Sequence, residues 1–139
     1  MNSIRVPFND LNRIHKPIEA TVIKKIKEIV DKNSFILGEY VEEFEKNFSN
    51  FTNSKYSISC GNGTDAIELV LRALDIKNGD EVIVQANTFI ATALAVSRTG
   101  ATPVFIDNGK DYLLDPDNIT KAISKKTKAI ISVNLYGQM

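Results

Sequence analysis

Cysteine is almost missing from this chain. Cys60 is the single one in 139 residues, which excludes an intrachain disulfide and fits a reducing compartment. Its place at a strand end suggests a small buried packing role. Histidine is equally scarce. His15 stands alone in a polar N-terminal stretch, so it reads as a surface residue and forms neither a metal cluster nor a triad. No spacing of Cys, His, Asp and Glu suits zinc or calcium, and no metal is expected. An excess of one charge is lacking too. Seventeen basic residues balance seventeen acidic ones, so nothing points to nucleic acid or an anionic membrane surface. No apolar run is long enough for a bilayer. Met1-Asn2-Ser3-Ile4-Arg5 leads into no apolar signal-peptide core. A cytoplasmic protein is the expectation.

What is present is an ordinary globular composition, 43% hydrophobic and 24% charged, able to bury a core. Pro17 suits the first position of a helix. Ile18, Val22, Ile26, Ile29 and Val30 then recur at helical spacing. A second amphipathic helix carries Val41, Phe44, Phe48 and Phe51 on one face and Glu42, Glu43, Glu45 and Lys46 on the other. Both read as outer elements packed by one stripe. From Tyr56 the pattern becomes β-α-β-α-β-α-β. Strands are expected at Tyr56–Cys60, Glu81–Val84, Pro103–Asp107 and Lys128–Val133. Helices are expected at Thr64–Leu74, apolar on most sides and therefore well buried, at Thr88–Arg98 with Gly100 past its end, and after Asp115-Pro116. Strands separated by helices imply an α/β fold with a mostly parallel sheet, covered on both faces. Residues 1–52 form an N-terminal helical segment and 53–139 the start of the sheet domain. The chain stops at Tyr136-Gly137-Gln138-Met139 directly after a strand, which reads as an incomplete domain.

Ligands of such sheets bind at the carboxyl ends of the strands. There the strongest feature is Gly61-Asn62-Gly63-Thr64-Asp65-Ala66. Its glycines allow close approach of an anion, and the helix that follows offers free N–H groups and a positive dipole end. No Gly-Lys-Ser/Thr follows, which excludes a nucleoside-triphosphate loop. The pattern does match G-x-G-x-x-A of dinucleotide-binding domains. Such a domain uses an acid at the end of the next strand, where this chain has Gln85; Asp80 and Glu81 sit at the wrong end. A simple helix-capping turn is the third reading. At the next strand-to-helix junction, Asn87-Thr88-Phe89 places an aromatic ring that could stack on a flat heterocycle.

These blocks resemble the DegT/StrS-type nucleotide-sugar aminotransferases. The similarity runs through Gly61–Ala66, Gly79–Val84, Asn87–Thr92, Gly100–Asp107 and Leu135–Gln138, in order and with near-normal spacing. Upstream, Phe35-Ile36-Leu37-Gly38 and Val41–Glu45 share it. The resemblance implies the aspartate-aminotransferase fold (fold type I), pyridoxal 5'-phosphate (PLP) as cofactor and a homodimer. It implies transfer of an amino group from glutamate to a nucleotide-linked keto-deoxysugar, for polysaccharide, lipopolysaccharide O-antigen or glycoside biosynthesis. Carried over by position, Asn62, Gly63 and Thr64 would hold the cofactor phosphate and Phe89 would stack on its ring. Asn87 would shape the same wall, and Phe35 and Leu37 would lie near the substrate entrance. Many relatives have His where this chain has Asn134. The lysine that bonds to the cofactor and the acid that pairs with its ring nitrogen are expected beyond Met139, so no catalytic residue is assigned here and these residues alone are expected to be inactive. The alternatives are a non-catalytic truncated remnant and a dinucleotide-binding oxidoreductase module.

Overall fold

The computed structural model describes residues 6–139. Contacts divide the chain into two compact units, Met1–Ser59 and Cys60–Met139.

The first unit is helical. A single turn, α1 (Asn12–His15), precedes α2 (Glu19–Lys32) and α3 (Glu39–Thr52). Pro17 lies in the turn before α2 rather than opening it. Asn33 and Asn53 end α2 and α3 in the left-handed region, which asparagine tolerates better than most residues. Lys32, in the last turn of α2, pairs with Glu39 in the first turn of α3. That bond holds the Glu39 carboxyl below its ordinary range and raises the Lys32 ammonium. The apolar stripes occur where the spacing puts them, but no residue of the three helices is buried. Phe44 and Phe48 stack at 5.6 Å, yet both stay exposed, as do Val22, Ile26 and Val30. Ile29 and Val41 of the same stripes are half-buried.

The second unit is α/β. Its elements are α4 (Gly63–Ala73), β1 (Glu81–Gln85), α5 (Ala91–Arg98), β2 (Thr102–Ile106), α6 (Pro116–Ala122) and β3 (Thr127–Ile131). A 3-10 turn follows at Leu135–Gly137. The strands pair in parallel in the order β2-β1-β3. β1 is central, and its Val82-Ile83-Val84-Gln85 run is fully buried, as expected of a parallel strand covered on both faces. Val82 and Val84 pack with Leu71 of α4, Ile76, Val96 of α5 and Ala101. The helices start and stop on local chemistry. The Asp115 side chain accepts from the Asp117 amide with Pro116 at the first position, and Gly100 takes φ +87° after α5, where a Cβ would be strained.

Four expectations fail, the first two of them at the boundary of the two units. Tyr56–Cys60 forms no strand, because a strand needs a ladder partner and none of the described strands pairs with it; Ile58 is 84% exposed and Cys60 is exposed rather than packed. α5 starts at Ala91, three residues later than expected. α4 buries only Leu71. Its Val70, with Leu74 just past its end, borders an open apolar groove also lined by Ala129, Ile130 and Ile131.

Candidate functional site

The site candidates belong to the carboxyl ends of the strands. Parallel pairing brings Gln85, Ile106 and Ile131 to one side of the sheet. α4 and α5 lie along each other, and the Arg72 guanidinium, near the end of α4, donates to the Arg98 carbonyl at the end of α5 (2.7 Å). α4 leads through Ile76 into the start of β1, and α5 departs just after the end of β1. The N-terminal ends of both helices therefore lie toward the carboxyl ends of the strands. Gly63 opens α4 there, and Phe89 lies in the loop that opens α5.

The first turn of α4 is built for its shape by three residues. Asn62 is extended (φ −166°, ψ 176°), and its Oδ1 accepts from the Asp65 amide at 3.0 Å. In return Asn62 Nδ2 donates to Asp65 Oδ2 at 2.9 Å. This reciprocal cap consumes one of the orphan amides of the helix end. Gly61 makes room for it: a Cβ there would meet Asp65 Oδ2 at 2.8 Å. Among the described residues the amides of Gly63 and Thr64 have no acceptor, and a Cβ on Gly63 would touch nothing within 4 Å. Two adjacent free N–H groups at a positive helix end, with open space before them, fit a phosphate group.

Phe89 is 76% exposed and Asn87 is exposed beside it; the Thr88 hydroxyl lies 3.3 Å from that of Thr92. Phe35 and Leu37 belong to the first unit, both exposed, with Leu37 at φ 53°. Among the described residues no group of acids, His and Cys could hold a metal ion, and no helix is long and apolar enough to cross a membrane.

Several contacts at this end are not foreseen by the sequence. Gln85 Nε2 donates to the Tyr112 carbonyl, while its buried Oε1 has no partner among the described residues. Tyr112 sits at φ 65° in the loop after β2, and its ring meets that of Tyr136 edge-on at 5.5 Å. Gln85 thus ties the ends of two strands, and Tyr136 adds the third. Its burial also means that the position required for a ribose-binding acid carries a neutral amide committed to another loop. The Asn62-x-x-Asp65 spacing was a legible capping signal. The pairing of Arg98 with Asp65 at 3.5 Å was not, because it depends on how two helices pack.

The model of the DegT/DnrJ/EryC1/StrS aminotransferase family matches residues 16–139. The chain belongs to this family. Among curated relatives of the aminotransferase family, the dTDP-3-amino-3,6-dideoxy-alpha-D-galactopyranose transaminase of Aneurinibacillus thermoaerophilus is 42% identical over 134 residues, covering 96% of this chain and 37% of the relative. Among solved structures, DesV of S. venezuelae in complex with a ketimine intermediate superposes with a TM-score of 0.92 at 40% identity, over 99% of this chain and 37% of that one. NtdA of Bacillus subtilis with bound cofactor PMP gives 0.92 at 36% identity, over 100% and 32%. The chain thus spans about a third of the length of these relatives, from 32% to 37%.

Proposed function

We propose that the protein is a PLP-dependent aminotransferase that moves an amino group from glutamate onto a nucleotide-linked keto-deoxysugar, working as a homodimer in the cytoplasm. Family membership supports the reaction class, and the sugar-nucleotide substrate follows the printed activities of relatives such as the dTDP-sugar transaminase. The observation within this chain that carries the cofactor reading is the open first turn of α4, with two unclaimed amides at Gly63 and Thr64. In this reading residues 53–139 begin the cofactor domain and 1–52 precede it.

Asn62, Gly63 and Thr64 hold the cofactor phosphate, Asn62 by fixing the turn and the other two by donating N–H groups. The Thr64 hydroxyl adds a donor. Phe89, exposed at the same end of the sheet, would stack on the cofactor ring and keep water from one face. Asn87 would line the same wall, and the family resemblance assigns Phe35 and Leu37 to the substrate entrance. When bound, PLP supplies an electron sink for the negative charge that develops where the substrate carbon loses or gains a proton. No residue of this chain is assigned the covalent or proton-transfer role.

The test is an amino-transfer assay on the intact protein with PLP, glutamate and a panel of dTDP- and UDP-linked keto-sugars. Formation of 2-oxoglutarate together with an amino-sugar nucleotide is expected. Saturable binding of a nicotinamide dinucleotide, with no response to PLP, would overturn the proposal in favour of an oxidoreductase module.

A further inference from the structure

The first turn of α4 contains a charge that works against its own proposed ligand. Asp65 is the third residue of the helix, in the same turn as the free amides of Gly63 and Thr64. Its carboxylate favours the helix dipole, but it repels a phosphate dianion held at the same end. It cannot swing clear without losing the bond that its Oδ2 accepts from Asn62 Nδ2, which helps to shape the turn. A cation is brought to it from the neighbouring helix. Arg98 Nη1 lies 3.5 Å from Asp65 Oδ1 and 3.6 Å from Glu68 Oε2. Glu68 is in turn held by Arg72 at 2.8 Å, and Arg72 fixes the Arg98 backbone through its carbonyl. Two arginines and two acids thus form one chain of contacts, and its upper end is the carboxylate next to the free amides.

We propose that Arg98 is a positioning residue for the cofactor phosphate, which offsets the Asp65 charge and holds that carboxylate turned away from the Gly63 and Thr64 amides. The inference rests on the cofactor reading above and adds to it a residue outside the phosphate-binding motif. Arg98 is 46% exposed and Asp65 38%, so the pair is partly screened and the effect is moderate. Replacing Arg98→Gln should weaken PLP binding about three- to fivefold at low salt, the range of partly exposed charge pairs. The difference should fade as ionic strength rises.

The experiment is a titration of the intact protein with PLP and, separately, with pyridoxal, which lacks the phosphate. Four proteins are compared: unaltered, Arg98→Gln, Arg98→Lys, and Arg98→Gln combined with Asp65→Asn. Asparagine at 65 keeps an oxygen for Asn62 Nδ2 but removes the charge. The expected result is a loss of PLP affinity in Arg98→Gln alone, with pyridoxal unaffected, near-normal affinity in Arg98→Lys, and recovery in the double variant. Equal losses for PLP and pyridoxal, or no recovery in the double variant, would mean that Arg98 only supports the fold and would overturn the inference. Failure of the unaltered protein to bind PLP at all is a different result, and it removes the cofactor reading itself together with this inference.

Discussion

Replacing Gly63→Ala separates a glycine needed by the fold from one needed by a ligand. Gly63 is the first residue of α4, it lacks the positive φ that would strain a side chain, and an added Cβ meets no protein atom within 4 Å. The folded protein therefore gives no steric reason to forbid alanine. Alanine restricts the unfolded chain, which stabilises compatible sites by about 0.4–1 kcal/mol. The melting temperature should hold or rise slightly. The ligand sees a different surface, since the methyl group stands where a phosphate must approach the amide. Losing one hydrogen bond to a charged group is worth about 1.5–3 kcal/mol, or about 10- to 150-fold in Kd. Thermal unfolding and a PLP titration on the same preparation measure both effects. A drop in stability, or unchanged PLP affinity, would refute the reasoning that this glycine is open for an anion.

Phe89→Ala should weaken PLP about two- to tenfold, the worth of an aromatic stack. Because Phe89 is 76% exposed, its stability effect should stay within about 0.5 kcal/mol; a denaturant titration checks this. Leu71→Ala removes the side chain that joins α4 to Val84 and Val96 in the core and should cost about 2–5 kcal/mol, measured as a shifted urea midpoint. The Lys32–Glu39 bond lowers the Glu39 carboxyl. A depressed folded value means that the contribution is present above the ordinary glutamate range and is lost as pH falls through the lowered value. Glu39→Gln should therefore flatten this part of the acid limb, and 0.5 M salt should do the same to the unaltered protein. Chemical denaturation between pH 3 and 6 reads both.

Most of the second unit was legible from local signals, because its elements begin and end on side chains close in sequence. Asp115-Pro116 caps α6 and Gly100 follows α5 as the residue types require. β1 reads as a continuous apolar run because both of its faces are covered. The misses have a common physical origin in partners distant along the chain. Tyr56–Cys60 has strand composition, but composition does not supply a ladder. The apolar faces of α2, α3 and α4 have helical spacing, but spacing does not say what covers them. Thr88, Phe89 and Ile90 are compatible with helix, yet α5 waits until Ala91. At the site, Gly61, Asn62 and Gly63 were visible as a motif. The contacts of Arg98, Gln85, Tyr112 and Tyr136 were not, since two helices or three loops must first assemble before their groups meet. Positive φ at Tyr112 and Tyr136 carries no residue-type signal, since tyrosine is not enriched in that region.

A crystal structure of the intact protein with PLP bears most directly on the central claim. The expected result places cofactor phosphate oxygens at hydrogen-bond distance, about 2.7–3.2 Å, from the amides of Gly63 and Thr64, with the Phe89 ring against the pyridine. A phosphate held by other groups, with those two amides facing solvent, would contradict it.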